Sequence, residues 1–201
     1  MAGEYSDYLL ILSAYLLGSI PFGLLLARIM GVGDLRTKGS GNIGATNAAR
    51  IGGKKLGVLT LLCDALKGVV SVLLAQTLST TEYLPLYAAI ASVLGHMFPI
   101  WLKFSGGKGV ATTFAVLTTL NWQVGVISLL MWIATFAILR ISSLAAIIAM
   151  ISAPIITWML IPDDIFRYSI LFLSAVVIIR HHSNIRRLLA GKEGGFRKKA
   201  P

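Results

Sequence analysis

The sequence predicts an all-α integral membrane protein: seven transmembrane helices, N-terminus outside, C-terminus cytoplasmic, one transmembrane domain over residues 1–201. Three observations carry that expectation. The first is composition. Of the 201 residues 56% are hydrophobic and only 13% charged, against about 45–50% apolar and about 25% charged in a soluble domain, and the mean hydropathy is +0.81. The second is the recurrence of apolar runs near the roughly 20 residues a helix needs to cross a hydrocarbon core. The third is a net charge of +10 gathered on one side of those runs. Such a charge also suits nucleic acid, but bases interleaved with spans report cytoplasmic loops and anionic headgroups. The sole cysteine, Cys63, lies inside an apolar run, so neither an intramolecular disulfide nor a cysteine metal cluster is available. The start, M-A-G-E-Y-S-D, is acidic, unlike a signal peptide, and the first run is expected to remain as a span.

Residues 7–30 form the first expected span, interrupted by Pro21 within G-S-I-P-F-G, where proline kinks the helix and leaves a backbone carbonyl unpaired. Residues 31–55 read as a polar, glycine-rich, basic loop, and 56–78 as the second span, with Asp64 and Lys67 inside it. A short turn at 79–82 leads to the third span, 83–102, bent near Pro99. Residues 110–139 would make one helix about 45 Å long, too long for a simple crossing. Asn121, Trp122 and Gln123 divide it into two, which keeps Lys108 and Arg140 on one side. A turn at 140–143, a span at 144–161, a turn at 162–164, a span at 165–179 and a basic tail from residue 180 complete the chain.

The charges agree with this layout. One side receives Arg28, Arg36, Lys38, Arg50, Lys54, Lys55, Lys103, Lys108, Arg140, Arg180, Arg186, Arg187, Lys192, Arg197, Lys198 and Lys199. The other receives Arg167 with Glu4, Asp7, Glu82, Asp163 and Asp164. The basic side is assigned to the cytoplasm.

The residues suited to chemistry fall on that side. In K-F-S-G-G-K-G-V-A-T-T, Gly106, Gly107 and Gly109 surround Lys108 just before a helix, an arrangement that suits a phosphate. A Walker A loop it is not, since Leu102 and Gly109 stand where that pattern needs Gly and Ser or Thr. In K-G-S-G-N-I-G-A-T-N-A-A-R, Ser40, Asn42, Thr46 and Asn47 offer small polar side chains, Gly44 exposes backbone, and Arg50 adds a planar fork for phosphate or carboxylate. A solvated linker has the same composition. Asp64 and Lys67, one turn apart, either neutralise each other or serve the site, with Lys67 holding an anion or bracing the first loop; bracing is the reading adopted. In the tail, R-H-H-S-N-I-R-R puts His181 and Asn184 on one face of a continuing helix. A helix C-terminus favours Arg180 and a histidine on electrostatic grounds alone, but it does not explain Asn184. His96 reads as a core histidine with a hydrogen bond. No histidine is followed five positions later by aspartate, as Trp101, Arg186 and Arg187 stand there, and no carboxylate cluster for Mg²⁺ accompanies the loops. No metal or cofactor is implied.

Taken together, G-S-I-P-F-G, G-S-G-N-I-G-A-T-N with Arg50, D-A-L-K-G, G-H-M-F-P-I-W-L-K-F-S-G-G-K-G-V-A-T and R-H-H-S-N-I-R-R-L resemble the bacterial acyl-phosphate:glycerol-3-phosphate acyltransferases, the PlsY family. The resemblance runs from the first span to the tail. It implies seven transmembrane helices with the N-terminus outside, in the bacterial inner membrane. It implies transfer of a fatty acyl group from acyl phosphate to the 1-hydroxyl of glycerol 3-phosphate, giving lysophosphatidic acid, the first step of phospholipid synthesis. An enzyme that makes acyl phosphate would be the functional partner. It places Ser40, Arg50, His181 and Asn184 in the active site, and Gly106, Gly107, Lys108 and Gly109 on glycerol phosphate. It also implicates a serine after the fifth span. Ser142 or Ser143 is the match, with Ile141 where an aromatic residue is usual.

The residues suit that chemistry. Two glycine-rich basic loops answer two phosphates, and a mixed anhydride with phosphate as leaving group needs neither activated metal water nor an acyl-enzyme. In the expected mechanism Ser40, Thr46 and Arg50 grip the acyl phosphate while Lys108, Asn184 and His181 hold the acceptor. The hydroxyl proton goes to a substrate phosphate oxygen or to His181. The rival expectation is a membrane transporter for an organic phosphate. Against it stand the lack of an inverted repeat and the scarcity of bases on the outer side.

Overall fold

The structure is a computed structural model, and it describes residues 2–195. Arg197, Lys198 and Lys199, assigned above to the cytoplasmic side, lie outside the described residues. Among those residues every regular element is helical. The chain divides into two compact units, Met1–Leu120 and Asn121–Pro201, taken in turn.

In the first unit α1 (Ala2–Gly18) and α2 (Phe22–Ile29) are two halves of one apolar run bent by 41° at Pro21. A 3₁₀ turn (Leu35–Thr37) follows, its N-terminus capped by the Asp34 side chain. Then comes α3 (Ala45–Leu78), 34 residues long and kinked at Gly53, whose φ of 81° is a left-handed value that glycine tolerates. The loop expected over 31–55 is therefore shorter: its last third is helix before the kink. Lys54 and Lys55, read there as loop, stand just past the kink at the head of the span. Leu35, Ala48, Leu56 and Ala27 form a small core with Leu24, Val32 and Ile51 under this segment, which anchors the loop to α2 and α3.

α4 (Leu84–Met97) packs closely on α1, because small residues face each other. A Cβ on Gly18 would lie 2.1 Å from the Ser92 carbonyl oxygen, and one on Gly95 2.2 Å from that of Tyr15. The Tyr15 hydroxyl donates to the Phe98 carbonyl at 2.7 Å, just past the end of α4. A second 3₁₀ turn (Ile100–Leu102) ends in Lys103 and Phe104, both left-handed with φ of 50° and 61°. α5 (Val110–Leu120) is short, largely buried, and packs on α3 and α4.

In the second unit α6 (Trp122–Leu139) starts at Asn121, whose side chain accepts from the Val124 amide, so the expected break is a capped helix start. α7 (Ser142–Leu160) begins at Ser142 rather than at residue 144, and α8 (Asp164–Arg180) is capped by Asp163. α9 (His182–Leu189) leaves α8 at 59°, so the continuing helix expected through the tail is broken at His181. Gly191 closes α9: its N–H donates to Leu188 and that of Lys192 to Arg187, a left-handed glycine C-cap.

Large apolar side chains such as Ile29, Leu62, Ile138 and Met159 stay exposed on these helices, as expected for surfaces that face lipid. Four helices are long and apolar enough to cross a membrane, six if each bent pair is one span. The expected seventh crossing falls to α5, 11 residues long and so only about 16 Å.

Candidate active site

In the first unit a buried charged cluster ties together elements far apart in sequence. Lys67 and Asp64, one turn apart on α3, pair at 2.8 Å and are each 3% exposed. Lys67 Nζ also donates to the Ile20 carbonyl at 3.0 Å, in the break between α1 and α2. His96 Nδ1, near the end of α4, lies 3.4 Å from the same Asp64 oxygen, and Thr112 on α5 donates to the Asp64 carbonyl at 2.9 Å. Lys67 thus both neutralises Asp64 and braces the chain, but the brace lands on the helix break rather than on residues 38–50. That break in turn positions the loop, since a Cβ on Gly23 at the start of α2 would lie 1.9 Å from the Ile43 carbonyl oxygen.

The same cluster reaches the glycine-lysine segment. The amides of Gly106 and Gly107 donate to the carbonyls of Met97 and His96, both at 3.1 Å, and so satisfy the end of α4. A Cβ on Gly107 would sit 2.0 Å from His96 Nε2, so only glycine lets the loop lie against that ring. These two amides face α4 rather than an approaching ligand, and the expectation of phosphate binding passes chiefly to Lys108. Lys108 is half-buried and stands one residue before Gly109, whose φ is 80° and whose carbonyl accepts from Thr113 in the first turn of α5.

In the first loop Asn47 is the organiser. Its Oδ1 accepts from the Ser40 amide at 2.9 Å, and its Nδ2 lies within donating distance of the Leu35, Lys38 and Asn42 carbonyls at 3.2, 3.2 and 2.7 Å. It is buried against the loop's own backbone, so the structure gives it a positioning place. Asn42 Oδ1 accepts from the Gly44 amide at 2.8 Å, and Gly44 is the N-cap of α3. That helix start has no side-chain cap and no acid in its first turn, so its partial positive charge meets no carboxylate from its own first turn. Thr46 and Arg50 follow on α3, four residues apart and so on one face; Arg50 and Ser40 are exposed. Nearby, hydrogen bonds from the Arg36 guanidinium and amide hold Asp34 at about 2.

In the second unit His181 forms the corner between α8 and α9 and is buried. Its Nδ1 lies 2.8 Å from the Val177 carbonyl, which requires that nitrogen to carry the proton and makes Nε2 the basic one. Asn184, also buried, donates from Nδ2 to Glu193 Oε1 at 2.5 Å. Ser143 donates to the same oxygen at 2.6 Å, and Arg187 Nε to Oε2 at 2.6 Å. Ser143 and Asn184 thus share one oxygen of Glu193, and Ser142 is the first residue of α7. Burial pushes the Glu193 carboxyl up, but the hydrogen bonds from Ser143, Arg187 and Asn184 outweigh it and hold it below its ordinary 4.5.

Glu193 is the residue that sequence reasoning missed. A faint signal was present: it is, with Asp34, one of two carboxylates on the basic side, and Asp34 is taken by its neighbour Arg36. Among the described residues no three His, Cys, Asp or Glu side chains group so as to hold a metal ion.

Residues 8–191 match the family model described as glycerol-3-phosphate acyltransferase. Curated relatives of that name include one from Bartonella henselae, 46% identical over 94% of this chain and 92% of its own, and one from Mesorhizobium japonicum, 49% identical over 94% and 96%. Two crystal structures of PlsY, an integral membrane glycerol 3-phosphate acyltransferase, superpose on 96% of both chains. The glycerol 3-phosphate form does so with a TM-score of 0.90 at 41% identity, and the lysophosphatidic acid form with 0.88 at 40%.

Proposed function

This chain belongs to the glycerol-3-phosphate acyltransferase family, and we propose that it moves a fatty acyl group from acyl phosphate to the 1-hydroxyl of sn-glycerol 3-phosphate. One observation carries the acceptor and the product. The two similar structures are a glycerol 3-phosphate form and a lysophosphatidic acid form, and those two molecules differ by one acyl group. Acyl phosphate as donor is supported by the basic, glycine-rich segments at 38–50 and 103–109, which suit two phosphate-bearing substrates. Both units serve one acyltransferase domain, since the family match runs through each.

In this reading the acceptor oxygen attacks the acyl carbonyl, a C–O ester bond forms, the bond from acyl carbon to phosphate oxygen breaks, and inorganic phosphate leaves. No acyl-enzyme intervenes. Ser40, Thr46 and Arg50, with the start of α3, bind the donor phosphate, and Lys108 binds the acceptor phosphate as a compact point charge. The hydroxyl proton passes to a phosphate oxygen or to His181 Nε2, and the Nδ1 bond to Val177 favours His181 by giving it the right tautomer.

The chain is a multi-pass membrane protein. We place it in the cytoplasmic membrane with the basic side inward, N-terminus outside and C-terminus inside, which counts α5 as the seventh crossing. An enzyme that forms acyl phosphate supplies the donor.

The test is inorganic phosphate and lysophosphatidic acid formed by the purified protein from palmitoyl phosphate, with and without glycerol 3-phosphate. Release that requires both substrates is the expected result. Release without acceptor points to a phosphatase or an acyl-enzyme, and none from folded protein to a transporter. Lys108→Ala should raise the KM for glycerol 3-phosphate, and an unchanged KM contradicts its role. Near-wild-type turnover by His181→Ala at saturating substrate removes histidine as the base.

A further inference from the structure

Between the end of α4 and the glycine-lysine segment, the 3₁₀ turn Ile100–Leu102 and the two residues after it leave large apolar side chains open. Ile100 is 49%, Trp101 61% and Phe104 57% exposed. Lys103 is exposed among them. The apolar stretch that begins with α4 at Leu84 ends at Leu102, so this turn stands where a span leaves the hydrocarbon. Two aromatic rings and an isoleucine open within five residues are a patch that calls for a partner.

The backbone of this turn bonds to itself and to α4. The amides of Leu102 and Phe104 donate to the Pro99 carbonyl at 3.1 and 3.0 Å, and that of Ser105 to the Leu102 carbonyl at 3.0 Å. The Gly106 and Gly107 amides are taken by Met97 and His96, and the Tyr15 hydroxyl donates to the Phe98 carbonyl. Irregular backbone is tolerated at membrane depth only where its polar groups are satisfied in this way. The dihedral angles carry a second signal. Lys103 and Phe104 are consecutive left-handed residues, with φ of 50° and 61°, a region where glycine is free of strain and a large side chain is not. An aromatic ring held there and left more than half open gains little from the protein to offset that strain. Lipid supplies what the protein does not: chains for the rings, and a phosphate for the lysine, whose stem can run along the apolar patch.

We propose that residues 100–104 are a wedge seated in the bilayer on the basic side of the protein, with Trp101 and Phe104 among the upper acyl chains and Lys103 on a phospholipid phosphate. A phospholipid is the occupant that the surroundings select. The patch continues a membrane span, and its one charge is a base, which suits an anionic headgroup. The wedge is also a positioning element for Lys108. The turn, the glycine segment and the end of α4 are one hydrogen-bonded piece, so the depth of the rings fixes the level at which Lys108 stands. This second part rests on the acyltransferase reading given above. Glycerol 3-phosphate is soluble in water, whereas acyl phosphate keeps its chain in the membrane, so the two meet at the plane of the headgroups.

The experiment places the full-length chain in vesicles of equal parts phosphatidylcholine and phosphatidylglycerol. A fluorescence quencher is attached to the lipid headgroup, to the upper acyl chain or to the chain end, or is dissolved in the water. The Trp101 signal is the difference between wild type and Trp101→Phe, since Trp122, Trp132 and Trp158 are common to both. The expected result is strongest quenching from the upper acyl chain. Strongest quenching from any other position overturns the proposal, as does a Trp101 that no quencher reaches, the sign of a second copy covering it. In the second arm, lysophosphatidic acid formation is measured in unlabelled vesicles with each substrate varied in turn. Phe104→Gly removes the ring and frees the turn of strain, so thermal unfolding is expected no earlier than in wild type. The KM for glycerol 3-phosphate should nevertheless rise about threefold to thirtyfold, with that for palmitoyl phosphate within about twofold. Should Phe104→Gly unfold early, Trp101→Ala, outside the left-handed pair, is read in its place with the same rise expected. Phe104→Trp restores an interfacial ring and should return the KM to within about twofold of wild type. No rise in the first variant, or no return in Phe104→Trp, overturns the link to Lys108. A wild type that forms no lysophosphatidic acid brings down the functional reading and that link, while the depth of Trp101 still decides the lipid seat by itself.

Discussion

Asp64 and Glu193 are both carboxylates that collect partners from distant elements, yet they sit in opposite surroundings. Asp64 lies inside a membrane-spanning helix, paired with Lys67, near His96, with its backbone carbonyl bonded to Thr112. Glu193 lies in the tail, where Ser143 and Asn184 are neutral donors and Arg187 is half open to water, 40% exposed. In apolar surroundings an unpaired charge is the costly state, so the first cluster acts as a frame that cannot lose a member. Glu193 is itself buried, but through the half-open Arg187 its cluster borders water, so its release should cost less than separating the first pair. One is held together by desolvation, the other by hydrogen-bond direction.

The largest effect should come from separating the buried pair. Asp64→Asn or Lys67→Met alone is expected to cost about 3–5 kcal/mol of stability, because each leaves the other charge uncompensated. The double variant should cost less than either single one, as measured by unfolding in detergent or bilayer. Singles that lose less than about 1 kcal/mol would remove the contrast with Glu193. Next comes Gly107→Ala, whose added methyl meets the His96 ring. Overpacking of this kind costs about 1–3 kcal/mol, and here it should also raise the KM for glycerol 3-phosphate by displacing Lys108. A normal KM would mean that the cluster does not govern the loop.

The two carboxylates also mark how far the sequence alone could be read. The apolar runs, the kink at Pro21, the break at Asn121 and the turn at Asp163 were all legible, because each depends on a local signal: hydropathy, a missing N–H, or a capping side chain. The length of the first loop was not. Gly52, Gly53, Lys54 and Lys55 have loop composition, but helix forms up to and again just after a break at the single residue Gly53, with Ala48 and Leu56 buried on either side of it. Asp64 and Lys67 were visible as a pair, whereas the bond to Ile20 spans 47 positions and has no local trace. Glu193 was hidden for the same reason, since its partner Ser143 is 50 positions away. Candidate site residues were therefore found where they come in motifs and missed where they are joined only by the fold.

A smaller effect should follow pH. The Glu193 carboxyl in the folded chain is held below its ordinary 4.5, so its contribution is fully present above that value and is lost as pH falls through the lower folded one. The tail after α9 should become more open to protease in that acid range, and Glu193→Gln should abolish the pH dependence of cleavage. Cleavage that stays flat in the wild type counts against the bonds from Ser143, Asn184 and Arg187 to Glu193 as what holds the tail. The smallest effect belongs to Asp34, whose exposed pair with Arg36 is local. Asp34→Asn is expected to change stability by about 0–1 kcal/mol and activity by less than about twofold. A larger loss of activity would draw the first loop's 3₁₀ turn into the site.

The spacing of Asp64 and Lys67 bears on biogenesis. Either charge alone at the middle of a helix opposes transfer into the bilayer by about 2.5–3.5 kcal/mol. Because the two are three residues apart on one helix, they can neutralise each other as soon as that single segment coils, before α4 and α5 have been synthesised. The nascent span can then partition into lipid as a nearly neutral cylinder. Lys67 already has the Ile20 carbonyl within reach, since the broken α1–α2 segment leaves the ribosome first, while His96 and Thr112 arrive only with later helices. The order of synthesis thus matches an order of assembly in which no charge need enter the membrane alone.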